Sequence, residues 1–238
     1  MLKIQDTVTE IARIEKSVKI AFTVDCIIFG YDNNDLKVLT IDCNLDPFKG
    51  MLSLLGDFVG QNETLEEGAK RILKYCTGND DIYLEEVKSF SDPNRHPLDR
   101  VITVAFYSLV PIASTEMTDA AGKHLKWTSV DEITEMAFDH MKILKTCLFQ
   151  LQKSLREKPI GFELLPRKFS LKQLQSLYEV VLGIELDKRN FRRKLKSLNI
   201  LIDLNEQQQE VSHRPAKLYK FDHEAFEKKR MDGLKFEI

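Results

Sequence analysis

The sequence predicts a mixed α/β and α+β chain, an α/β/α sandwich followed by a C-terminal winged helix-turn-helix domain, and three observations predict it. Through the first two thirds of the 238 residues, strand-like runs alternate with two amphipathic helical patterns, the order that lays helices onto a sheet. An apolar helical pattern starting at Ser170 then leads through Gly183 into a strongly basic helical segment at residues 188–196, which is the helix-turn-helix order. Two strand-like runs, at 198–204 and 217–221, follow around a polar hairpin and supply a wing.

Taken in order, residues 20–29 are rich in β-branched and aromatic side chains. A turn cluster at 31–35 separates them from a second run at 36–41, which predicts a hairpin. A loop with Pro47 and Gly50 precedes an extended run at 51–59, which ends in the polar turn Gly60-Gln61-Asn62. Residues 64–76 place Leu65, Ala69 and Leu73 on one helical face, with Gly78 as the stop. Further strands are expected at 101–110 and around Trp127, and a helix at 138–155 carries Ile143, Leu144, Cys147, Leu148 and Leu151. Residues 153–168, with Pro159 and Pro166, read as the connection between a domain spanning 1–155 and one spanning 156–238.

The basic segment carries the clearest chemistry. Six of its nine residues are Lys or Arg, and no acid follows until Asp203. Phe191, Leu195 and Leu198 recur at i, i+4 and i+7, so one face can be buried while Arg189, Arg192, Arg193 and Lys196 project from the other. Asp187 stands at the N-cap position. This is the pattern of a recognition helix for double-stranded operator DNA, with Lys188 on the same helix and Asn190 able to read adenine if it faces the groove. Arg214, stiffened by Pro215, would lie on the wing against a phosphate or in the minor groove. The competing reading, a solvated basic face, does not account for the buried stripe, the preceding helix and the wing occurring together.

The formal charge of −2 would by itself argue against nucleic acid, but it is unevenly distributed. Residues 161–238 hold 16 basic and 12 acidic side chains, a net of +4, and the remaining 160 residues hold 19 and 25, a net of −6. The acidic part does not suit a DNA-facing surface, because phosphate contacts supply most non-specific affinity. Cys26, Cys43, Cys76 and Cys147 form no metal-ligand spacing, and the five histidines are scattered, so buried free thiols and no metal site are expected. No apolar run approaches a membrane span and the N-terminus carries no signal-like apolar stretch, which predicts a soluble cytoplasmic protein without a membrane partner.

Residues 56–78 resemble the Nudix box. In that alignment the box glycine falls on Asp57, the first glutamate on Glu63, the arginine on Arg71 and the closing glycine on Gly78. The three metal-binding carboxylates of an active hydrolase fall on Ile72, Tyr75 and Cys76, none of which can hold a hard divalent cation. The resemblance therefore implies a Nudix-like domain with no catalytic residues, no metal and no cofactor. Glu66 and Glu67 remain on the helix, where the helix dipole explains them.

Three further motifs extend the likeness. They are Asp92-Pro93-Asn94-Arg95-His96-Pro97 leading into the strand at 101–106, Ala137-Phe138-Asp139-His140 at a helix entry, and Arg214-Pro215-Ala216-Lys217-Leu218-Tyr219 in the wing. Over nearly its full length the chain is similar to the Nudix-related transcriptional regulators. The resemblance implies a homodimer, a small-molecule effector, and repression relieved by that effector. Some members answer to ADP-ribose and regulate NAD metabolism, and others answer to pentose sugars, notably L-arabinose. Asp42-Cys43 stands where many Nudix chains carry basic residues, and both Asp42 and the glycine replacement Asp57 oppose a diphosphate. The expected effector is thus L-arabinose or a related sugar, with Asp25, Asp42, Asp57, Arg95 and His140 as pocket candidates. ADP-ribose is the alternative, and a divergent hydrolase with an accessory nucleic-acid-binding domain, or a constitutive DNA-binding protein, are the further readings.

Overall fold

In a computed structural model, the structure describes residues 20–32, 34–79, 81–97, 99–112, 125–208, 215–234 and 236. The N-terminal part is built on a seven-stranded sheet. Strands β1 (Ala21–Asp32), β2 (Asp35–Asp42) and β3 (Leu52–Ser53) are followed by β4 (Leu55–Phe58), β5 (Tyr83–Phe90), β6 (Val101–Pro111) and β7 (Lys126–Ser129). The path is β3-β2-β1-β6-β5, with β4 on β1 and β7 on β2. β1 and β6 run parallel through the centre, and the other pairings are antiparallel.

Alternation along β1 sends Val24, Cys26 and Ile28 to one face and Ile27 and Phe29 to the other. Helix α1 (Leu65–Thr77) covers the first face with Ala69, Ile72, Leu73 and Cys76. A complete capping box starts it, Thr64 bonding the Glu67 amide and Glu67 returning to the Thr64 amide, and Gly78 ends it in the left-handed region at φ 71°. Helix α2 (His140–Glu157) covers the second face with Ile143, Leu144, Cys147, Leu151 and Leu155. The sandwich expected from the sequence is formed.

The C-terminal part contains β8 (Phe169–Ser170), α3 (Leu171–Leu182), α4 (Lys188–Leu198), β9 (Leu201–Gln207), β10 (Lys217–Phe221) and α5 (His223–Met231). Ser170 and Gln173 form a second capping box on α3, Gly183 closes it, and the Asp187 carboxylate accepts from the Asn190 amide to start α4. β10 lies between β8 and β9, which makes the expected wing.

Several boundaries depart from the sequence reading. Leu198 is the last residue of α4, not the first of a strand, because Asn199 turns the chain at φ 49° before β9 begins at Leu201. The run at 51–59 is split into β3 and β4 at Leu54. β5 escaped notice because as an edge strand it carries Glu85, Glu86 and Lys88 with little apolar alternation. The segment at 153–168, read as the connection, is structured: α2 runs to Glu157, and a 3₁₀ segment, Pro159–Leu164, buries Ile160, Phe162 and Leu164. One continuous apolar cluster joins Phe29 and Tyr107 on the sheet, these residues, and Leu177, Tyr178 and Phe191 of the winged helix. Gly161 is essential to that junction, since a Cβ would stand 2.8 Å from Leu155, 3.1 Å from Tyr178 and 3.3 Å from Leu177.

Among the described residues, no helix is long and apolar enough to cross a membrane. The four cysteines are free and buried.

Candidate functional site

On α4 the helical period separates two faces. Phe191, Leu195 and Leu198 are buried, while Lys188, Arg189, Asn190, Arg193 and Lys196 are exposed. Arg189, Arg193 and Lys196 share one strip roughly opposite the buried stripe. Arg192 departs from the expectation of a fully outward side chain. It borders the buried face, is half-buried, and its Nε has no partner among the described residues. Asn190 is tied to Arg193, whose Nη2 donates to its Oδ1 at 2.6 Å. Arg214 lies outside the described residues, as does the wing tip around it. On the wing strands Lys217 pairs with Asp203 at 2.9 Å, and Lys168 pairs with Glu206 at 2.6 Å.

In the sandwich, β1 shares one edge between two strands: residues 29–32 pair with β2 and residues 23–26 with β4. A cleft of about 420 Å³ opens beside this divergence. Asp25, Asp42, Asp57, Arg95 and His140, drawn together from five separate segments of sequence, all line it, with His96 and Phe138 beside them.

Asp25 is a charged residue on the α2 face of the sheet and is almost fully buried, so it requires partners. Arg95 supplies one: its Nη2 lies 3.4 Å from Asp25 Oδ2. The same guanidinium is held more tightly by Asp139, through Nη2 to Oδ1 at 2.7 Å and Nε to Oδ2 at 3.1 Å, a bidentate pair. His140 stands beside it, beyond hydrogen-bond distance. Its Nδ1 accepts the Leu54 amide at 3.0 Å, which assigns the ring proton to Nε2, 3.9 Å from Asp25 Oδ1. Burial pushes the His140 pKa down, outweighing the opposing charge of Asp25, so the ring is neutral near pH 7.

Space for Asp25 comes from Gly56, which stands directly opposite it in the β1–β4 register. A Cβ at position 56 would overlap the Asp25 carboxylate. The sequence reading missed Gly56 and Asp139. Gly56 is displaced by one from the box glycine position, and Asp139 stands inside a helix-entry motif with no polar partner nearby in sequence to mark it. It also missed the aromatic wall, where His96 stacks on Phe138 at 5.3 Å and 8° and Phe48 packs at 4.7 Å. Phe138 holds φ 54°, a left-handed conformation costly for an aromatic residue and concentrated at sites where surroundings enforce it.

The residues aligned with the Nudix box are divided between an ion pair and an apolar face. Glu63 and Arg71 meet, Arg71 Nε donating to Glu63 Oε1 at 2.7 Å, and this bond with that from the Gly60 amide lowers the Glu63 carboxyl to about 2. Ile72 and Cys76, by contrast, are packed into the apolar cluster under α1, and Tyr75 is an exposed phenol. These three side chains do not fit a hard divalent cation. Among the described residues no group of three or more His, Cys, Asp or Glu is arranged to hold a metal.

Comparison with known proteins places this architecture. Residues 161–221 match the NrtR DNA-binding winged helix domain. A relative from Acinetobacter baylyi, the "ADPR responsive transcriptional repressor NtrR", is 32% identical over 203 residues, 84% of this chain and 81% of its own. The chain belongs to the NrtR family of Nudix-related winged-helix transcriptional regulators.

The crystal structure of Shewanella oneidensis NrtR complexed with a 27mer DNA superposes with a TM-score of 0.77 at 26% identity, covering 90% of this chain and 97% of that one. An ADP-ribose pyrophosphatase from Methanocaldococcus jannaschii is 36% identical over 129 residues, 52% of this chain and 71% of its own. That likeness covers about half of this chain, whereas the likeness to the Shewanella NrtR structure covers 90% of it and the winged helix is itself matched at residues 161–221. The L-arabinose expectation is overturned by the Acinetobacter relative, which its name describes as responding to ADP-ribose. The physical error lay in treating Asp42 and Asp57 as bare acids. Asp42 is paired with Lys126 at 2.8 Å and Asp57 with Arg71 at 2.7 Å, so neither stands as an uncompensated charge against a diphosphate.

Proposed function

We propose that this NrtR-family chain is a transcriptional repressor that binds operator DNA as a homodimer and is released from it by ADP-ribose, with genes of NAD metabolism as the targets that the family resemblance implies. Residues 1–155 would sense the effector and dimerise, and residues 156–238 would hold DNA. The carrying observation is the likeness to the ADP-ribose-responsive repressor, which extends over both parts of the chain.

In this reading α4 enters the major groove. Arg189, Arg193 and Lys196 face it, with Lys188, Asn190 and Arg192 at its margins; Arg214, a wing residue by the sequence reading, would add a backbone contact. Two copies related by a twofold axis would meet successive major-groove faces of a pseudo-palindromic operator. ADP-ribose would occupy the cleft lined by Asp25, Asp42, Asp57, Arg95 and His140. The carboxylates offer acceptors to ribose hydroxyls, and the His96–Phe138 wall offers an apolar surface to the base. Binding can change operator affinity only if ADP-ribose prefers one of two arrangements of the dimer.

The test is displacement of the protein from its own upstream DNA at fixed salt, with ADP-ribose, ADP, AMP and L-arabinose added separately. Release by ADP-ribose alone is expected. Release by other compounds and not by ADP-ribose would overturn the effector assignment.

A further inference from the structure

We infer that Arg95 is the anion-binding group of the cleft and Asp139 its built-in competitor, so that a phosphate-bearing ligand takes the guanidinium from Asp139 and thereby frees the N-terminal end of α2. The inference rests on the effector reading for the ligand's location, and adds the group that ligand must present and the ion pair it must break.

Three observations lead to it. First, among the described residues Arg95 is the sole Arg or Lys lining the cleft. The nearby Arg71 and Lys126 are committed to Asp57, Glu63 and Asp42, and His140 is held neutral by burial. A diphosphate entering beside Asp25 therefore has one fixed cation to draw on.

Second, the two partners of that cation differ in their freedom. The Arg95 side chain is 5% exposed and is fixed between β1 and the start of α2, whereas Asp139 is 18% exposed and can turn toward water. Exchanging a bidentate carboxylate for a bidentate phosphate preserves the geometry the guanidinium favours. Asp139 is also the N-cap residue of α2, yet its side chain makes no cap hydrogen bond while Arg95 holds it. Once released, the carboxylate is free to accept from first-turn amides, its ordinary role at such a position.

Third, the far end of α2 is fastened to the DNA-binding part. Gln152 Nε2 donates to the Val181 carbonyl of α3 at 2.9 Å. The turn after the helix has no spare room, because Gly161 is pressed against Leu155, Leu177 and Tyr178. Tyr178 in turn packs on Phe191 of α4 with ring centroids 5.7 Å apart. A shift at the Asp139 end of this helix is thus passed to the recognition helix through packed side chains, and α2 is the element whose two positions the ligand and the operator would prefer differently.

The experiment uses the full chain and its upstream DNA. Asp139→Asn keeps the side-chain shape and removes the negative charge that holds Arg95. Without any ligand it is expected to weaken operator affinity by roughly fivefold or more, the lower end of ordinary allosteric coupling. ADP-ribose should bind it more tightly by a similar factor, and the remaining response of operator affinity to ADP-ribose should shrink toward none. Arg95→Lys, a second route to loosening the pair, is expected to weaken the operator in the same direction but to weaken ADP-ribose as well, with thermal unfolding reporting that each variant is folded. Wild-type operator affinity in both folded variants would overturn the inference. If wild-type protein ignores ADP-ribose, the effector reading fails by itself, while the ligand-free operator measurements still decide the role of the ion pair.

Discussion

Asp25 on β1 and Gly56 on β4 face one another across an antiparallel pair, and the carboxylate occupies the space that any larger residue at position 56 would fill. The cleft depends on this absence of a side chain. Gly56→Ala is expected to push Asp25 off its contact with Arg95, to cost about 1–3 kcal/mol of stability as overpacking does, and to weaken ADP-ribose by about tenfold or more, equivalent to about 1.4 kcal/mol. Calorimetric titration and thermal unfolding of the variant measure both.

Reversing charge on the exposed strip of α4 tests the DNA surface. Arg189→Glu with Arg193→Glu should abolish measurable operator binding at physiological salt. Single Ala replacements that remove a phosphate contact should lower the slope of log affinity against log salt by about one each. Because Phe191, Leu195 and Leu198 carry the packing of α4, these changes are expected to leave thermal stability within about 0.5 kcal/mol. Operator titrations at several salt concentrations, beside unfolding curves, give the comparison.

Glu85 makes the acid limb of stability predictable. It receives Tyr83, Tyr107, Gln150, Ser154 and Lys158, and so ties β5 and β6 to the last turns of α2. Burial pushes its carboxyl up, but the bonds from Tyr83, Lys158 and Gln150 and the charge of Lys158 more than reverse this and leave it at about 2. A carboxyl whose folded pKa lies below its unfolded value contributes stability above about pH 4.3 and loses it as pH falls toward about 2. Glu85→Gln should lower stability at pH 7 and flatten the pH dependence between those values. Denaturant unfolding at pH 7, 4 and 3 for both proteins is the measurement.

Ile72, Tyr75 and Cys76 lead to an expectation about chemistry. ADP-ribose incubated with the protein and Mg²⁺ should be recovered intact by chromatography, with no AMP formed above a protein-free control. Turnover that responds to Glu66→Gln or Glu67→Gln would contradict the reading of the α1 face as packing.

How far the sequence was legible follows from where information lies along a chain. Helix α4 could be read because its buried stripe and basic face are encoded within eleven consecutive residues of one regular element. The sandwich helices were visible for the same reason, and Ser170 and Asp187 marked the starts of α3 and α4 through local capping chemistry. β5 was not visible, because an edge strand buries too little to need an alternating pattern. The cleft was legible only in part. Its five candidate residues do converge, but the pairings of Asp42 with Lys126 and of Asp57 with Arg71 span 84 and 14 positions. Charge that is cancelled across such distances reads in sequence as charge that is present, and this turned the effector expectation toward a neutral sugar.

In the proposed function one small molecule and one DNA sequence compete through this chain, and such competition must be reciprocal. The most direct measurement is operator affinity with and without saturating ADP-ribose, paired with ADP-ribose affinity with and without operator, at one salt concentration. Each ligand is expected to weaken the other by the same factor, roughly fivefold or more. Operator affinity that stays constant as ADP-ribose saturates the protein would contradict it.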